Sequence, residues 1–141
     1  MAGPYPTCWL NGEYVPLAAA HISPLDRGFL FGDGVYEVVP VHRGRPFRLR
    51  QHLERLERSL AELHMRSPLD RAGWVEVTRR LGEAAGAPEV LVYMQVTRGA
   101  EHGRNHLFPP AETAPTGFAF ASPYPPPSPA ALAQGLAGAL L

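Results

Sequence analysis

Lysine is missing from this 141-residue chain; all 13 of its Lys/Arg positions are arginine. Alanine, glycine, proline and arginine together fill 62 positions, a bias that GC-rich coding produces and that accounts for absent surface lysines. It does not account for an absent catalytic one. Cysteine is nearly missing as well. Cys8 stands alone, which excludes an internal disulfide and fits a reducing, cytoplasmic setting. Without a second cysteine or a Cys-x-x-Cys, the histidines lack organised partners for zinc, so no metal is expected. Net charge is lacking too, because 13 acidic residues balance the arginines, and this argues against a nucleic-acid binder working through a general basic field. No apolar run approaches the roughly 18 to 20 residues of a membrane span, and the N-terminal MAGPYPTCWLNG reads as no secretory leader.

What remains is 45% hydrophobic, enough for one domain's core, and its patterning alternates between two periods. Cys8 to Val15 reads as a hairpin, with Asn11-Gly12 supplying the positive φ angles of a type I′ turn. Residues 24–34, PLDRGFLFGDG, read as an ordered glycine-bearing loop, followed by a strand from Val35 to His42 that Arg43-Gly44 turns back. From Arg48 to Met65 the leucines at 49, 53, 56, 60 and 63 form one stripe of an amphipathic helix. A second helix is expected from the Ser67 N-cap and Pro68 to about Ala85, burying Trp74, Val77 and Leu81 and ending at Gly86. Val90–Arg98 reads as a central strand apolar on both faces, and Thr116–Ser122 as another. The proline-rich PYPPPSP is a stiff connector, and the last twelve residues, AALAQGLAGALL, are nearly all apolar and lack a charged or polar finish. They read as the start of a further domain whose continuation lies beyond Leu141.

Few residues carry chemistry on their own spacing. The Phe31-Gly32-Asp33-Gly34 loop precedes a strand and lacks Gly-Lys-Ser/Thr, which argues against a nucleotide cradle. Arg50 and Arg58 have glutamates one turn away, whereas Arg55 has Gln51, His52, Arg58 and Ser59 at those spacings and no acid. An uncompensated arginine beside a buried stripe is a candidate anion ligand; the plain alternative is a solvated surface arginine. Arg104 and His106, in the loop after Thr97, are a candidate carboxylate grip, against the alternative of an ordinary polar loop.

Two blocks, LDRGFLFGDGVYEVVPVHRGRPFRLRQHLERLERS and VYMQVTRGAEHGRNHLFP, resemble the class IV (fold-type IV) pyridoxal-phosphate aminotransferases over roughly residues 9 to 122. The Arg104-x-His106 pair is similar to that of the D-amino-acid (D-alanine) transaminase branch; branched-chain aminotransferases and aminodeoxychorismate lyases are the alternatives within the class. The resemblance implies an α+β fold, an antiparallel sheet with two helices. It implies a small N-terminal domain over 1–122, with 123–141 as connector and start of the C-terminal domain. By the same resemblance Arg55 binds the phosphate of pyridoxal 5′-phosphate, and Tyr36 faces the substrate carboxylate. Arg104 and His106 complete that carboxylate site from the neighbouring subunit of a homodimer. The implied reaction moves an amino group from a D-amino acid to a 2-oxo acid. This chain departs from the family in one respect: the Schiff-base lysine is not among its residues, so no catalytic residue is assigned here. The alternative from another class is a non-catalytic domain that dimerises or binds a small anion.

Overall fold

The computed structural model describes residues 3–101, 103–125 and 127–135. Its strands are β1 (Thr7–Leu10), β2 (Glu13–Pro16), β3 (Gly34–His42), β4 (Arg45–Pro46), β5 (Glu89–Thr97) and β6 (Thr116–Pro123). They form one antiparallel sheet in the order β2-β1-β6-β5-β3-β4. Two long helices, α2 (Leu49–Glu62) and α3 (Arg71–Ala84), lie across one face. The short helices are α1 (Arg27–Phe31) and α4 (Pro129–Gln134), and a single 3-10 turn occupies Leu17–Ala19. The expected α+β sheet with two main helices is therefore present, with smaller helical pieces added.

Local chemistry explains the elements. Asn11 and Gly12 take φ of 47° and 102°, so the β1–β2 hairpin turns as its Asn-Gly dictates. In β3 the inward positions Glu37, Val39 and Val41 are buried; in β5 they are Val90, Val92, Met94 and Val96. These meet Leu53, Leu56 and Leu60 of α2 and Trp74, Val77 and Leu81 of α3. Each such apolar side chain contributes about 1.5 to 3 kcal/mol of burial. Trp74 meets Trp9 edge-on, with centroids 5.3 Å apart.

Four expectations need correction. Residues 24–34 are not all loop: Asp26 accepts from Gly28 N at 2.8 Å and caps α1. The cap of α3 is Asp70, which accepts from Gly73 N at 2.7 Å, while Ser67 donates to Leu69 O and accepts from Trp74 Nε1. Leu63 falls outside the leucine stripe's buried set, because the helix has already ended and Leu63 is its 39% exposed C-cap. Finally, β5 is central but buries one face only. On its other face Tyr93 stacks with Tyr36 at 5.7 Å and meets Phe120 at 5.2 Å, a half-open aromatic row. His102, Pro126 in the proline-rich stretch, and the apolar residues 136–141 lie outside the described residues.

Candidate functional site

The long strand β3 is paired on both sides only near its end, where β4 meets Val41 and His42. At Tyr36–Val38 it is an edge, and α2 runs beside it. The strand's alternation sends Glu37 inward and Tyr36 outward. Glu37 is 3% exposed, and a buried carboxylate must be paired to persist. Arg55 supplies the pairing bidentately: Nε donates to Oε1 at 2.5 Å and Nη2 to Oε2 at 2.6 Å. Nδ1 of His52, one helical turn earlier, lies 2.8 Å from the same Oε2. Burial pushes the Glu37 carboxyl up, but the hydrogen bonds from Arg55 and His52 outweigh it and hold it below the ordinary glutamate range. The hydrogen bonds that Arg55 donates to Glu37 raise the guanidinium's own pKa in turn.

Arg55 is therefore not uncompensated. Its acid comes from β3, 18 residues away, which helix spacing cannot show. The side chain nonetheless remains 57% exposed, and Nη1 makes no hydrogen bond among the described residues. It opens onto a cleft of about 450 Å³ lined by Tyr36, Glu37, Val38, Arg55 and Ser59. The structure thus brings together Tyr36 and Arg55, two of the four expected site residues.

Arg104 and His106 sit elsewhere. Arg104 Nη1 donates to His106 Nε2 at 2.9 Å, and both side chains are exposed on the loop between β5 and β6. The Arg104 guanidinium lies 4.9 Å from the Phe31 ring centroid, and the His106 ring 5.4 Å from it. Arg104 lines a different hollow, with Glu101, Asn105 and Glu112, and does not share the cleft of Tyr36 and Arg55. Sequence reasoning missed Glu37 as a site residue, although it is the one charged side chain at an inward position of an otherwise apolar strand. It also missed Arg27 and Asp33, whose pairing no regular spacing announces.

Residues 34–139 match the family model for amino-transferase class IV. The chain belongs to the class IV aminotransferase family. Among curated relatives, it is similar to D-alanine aminotransferase of Staphylococcus aureus (strain MSSA476), 36% identical over 116 residues, covering 82% of this chain and 41% of the relative. Among solved structures it resembles the fold IV-transaminase CpuTA1 from Curtobacterium pusillum, with TM-score 0.70, 26% identity, and coverage of 85% and 43%. It also shares the fold of a hypothetical aminotransferase from Mycobacterium tuberculosis in its PLP-bound form. There the TM-score is 0.70 and the identity 24%, with coverage of 84% and 40%. The chain thus spans well under half the length of the relatives that it matches.

The residues present fit one end of pyridoxal phosphate. A free guanidinium edge at Arg55 beside the Ser59 hydroxyl is a donor set that matches a phosphate. For the aldehyde end the 141 residues offer no lysine.

Proposed function

We propose that these residues form the small domain of a pyridoxal-phosphate-dependent transaminase that exchanges an amino group between a D-amino acid, such as D-alanine, and a 2-oxo acid. The observation that carries the reading is the cleft at the β3 edge, where Tyr36 and the clamped Arg55 meet in a chain 36% identical to D-alanine aminotransferase. Within this assignment, residues 1–122 are the domain and 123–141 the connector and start of the next. The lysine that bonds the cofactor comes from outside these 141 residues, because none is within them. When bound, pyridoxal phosphate supplies the electron sink that makes the substrate's Cα–H bond acidic.

The work of this chain is binding and orientation. Glu37 fixes two nitrogens of Arg55, so the third is presented to the phosphate in one direction, at little entropic cost on binding. Tyr36 offers a hydroxyl at the same cleft for the substrate carboxylate. Arg104 and His106 suit that carboxylate too, through a planar fork and an imidazole, but they open onto another hollow of the same chain. Two copies in a homodimer, each lending its Arg104–His106 pair to the other's Tyr36 cleft, would complete the site. Holding the carboxylate fixes which face of Cα meets the cofactor, and so which enantiomer reacts.

The test is steady-state kinetics with D-alanine, L-leucine and aminodeoxychorismate, on an enzyme in which these residues are joined to a lysine-bearing C-terminal domain. A carboxylate contact is made in ground and transition states alike, so its loss falls on KM. At about 2 kcal/mol for the contact, Arg104→Ala raises KM for D-alanine about thirtyfold. A preference for either of the other two substrates would refute the D-amino-acid assignment.

A further inference from the structure

We infer that Arg27 and Phe31 are positioning residues that hold the Arg104–His106 pair in its geometry. The inference deepens the proposed function and rests on its reading of that pair as a carboxylate grip. Arg27 and Phe31 stand four residues apart on α1, and therefore on one side of it. Arg27 is 7% exposed although it lies outside the apolar core. A cation so far removed from water must be paired, and its partners show what it is for. Nε donates to Asp33 Oδ2 at 2.9 Å. Nη1 donates to Glu101 Oε2 at 3.3 Å and to the backbone carbonyl of Asn105 at 2.8 Å.

Asn105 is the residue between Arg104 and His106, so Arg27 grips the peptide that carries both. Its guanidinium carbon also lies 4.8 Å from the Phe31 ring centroid, and that ring is the one which Arg104 and His106 contact. One phenyl ring thus serves two guanidiniums and an imidazole, and cation–π attraction favours this arrangement. The exposed loop from 103 to 108 is tied down from below at Asn105 and from the side at Phe31.

The two ties are separable from the rest of the fold. Asp33 is held independently by Arg98, at 2.7 and 3.0 Å, and Arg98 further donates to the carbonyls of Leu63 and His64. Loss of Arg27 therefore frees Glu101 and Asn105 while the tie between β5 and the end of α2 persists.

The experiment is nuclear magnetic resonance on the isotope-labelled 141-residue chain, comparing wild type with Arg27→Gln, Phe31→Leu and Phe31→Tyr. In the wild type, the His106 ring protons carry a ring-current shift. Phe31→Leu abolishes that shift and Phe31→Tyr retains it, a rescue that simple loss of stability would not produce. Arg27→Gln speeds amide exchange at residues 103–107 about tenfold or more, while amides of β3 and β5 keep their protection. A titration with propionate, read at the Arg104 Nε–H, weakens in both Arg27→Gln and Phe31→Leu. An unchanged loop in these two variants would overturn the inference. Should Arg27→Gln lose the sheet as well, the Phe31 pair of variants decides. If the loop responds as described but wild-type Arg104 ignores propionate, the carboxylate reading fails and the positioning role stands.

Discussion

At the residue scale, the character of the candidate site comes from Glu37. A buried carboxylate at the inward face of β3 recruits Arg55 and His52, and the guanidinium so held keeps one edge free toward the cleft. Under the proposed function Arg55 holds a phosphate as well as Glu37, and its removal then has two expected consequences. Arg55→Ala deprives a phosphate of a charge-assisted contact worth about 1.5 to 3 kcal/mol, weakening phosphate or pyridoxal-phosphate binding about ten- to a hundredfold. It also leaves Glu37 with His52 alone, so thermal stability falls. Arg58, on the same helix, has no hydrogen bond to a buried group among the described residues, and Arg58→Ala changes neither quantity appreciably. Binding isotherms with phosphate, paired with melting curves for both variants, check this. Equal effects from the two substitutions would make Arg55 an ordinary surface arginine.

At the scale of elements, two carboxylates act as fasteners. Glu37 joins β3 to α2 through Arg55 and His52, and Asp33 joins the start of β3 to α1 and β5 through Arg27 and Arg98. Burial pushes Asp33 up, but its arginine hydrogen bonds prevail and hold it below the usual aspartate range, as with Glu37. A depressed folded pKa stabilises the fold above the unfolded value and ceases to do so as pH falls through the folded one. Melting temperature by circular dichroism is therefore level down to about pH 5 and declines below it. Glu37→Gln and Asp33→Asn lower the plateau and make the acid decline shallower; an unaltered slope would show that these ties carry no net stability. Such fasteners also mark what the sequence leaves unreadable. Helix α2, β3, β5 and the Asn11-Gly12 hairpin are legible because their signals are local: a leucine stripe, apolar β-rich runs, a turn dipeptide. The Arg55–Glu37 pair is not, because its partners are 18 residues apart and meet only once the sheet edge and helix have packed. Ser67-Pro68 has the chemistry of a cap, yet Leu69 O and Trp74 Nε1 occupy the Ser67 hydroxyl, and Asp70 caps the helix instead.

At the scale of the whole molecule, the proposed function gives these 141 residues the work of binding, and no lysine is among them. Its helix-covered core and its Arg55 clamp are complete within the described residues, and its family membership is plain. Yet transamination in this family's manner needs an amine that bonds the cofactor and then moves a proton at the substrate's Cα. Arginine cannot stand in, since it stays protonated at any working pH. The terminal amine is a poor substitute, because it belongs to a segment remote in sequence from Tyr36 and Arg55. The purified 141 residues, supplied with pyridoxal phosphate, D-alanine and 2-oxoglutarate, therefore form no more pyruvate than the free cofactor does. Joining them to a lysine-bearing C-terminal domain raises turnover far above that background, and replacing that lysine with alanine returns it to background. Both arms can be followed by coupling pyruvate to lactate dehydrogenase. D-alanine-dependent turnover by the lysine-free chain itself would refute the division of labour, and would require a proton carrier among residues that the proposed function assigns to binding.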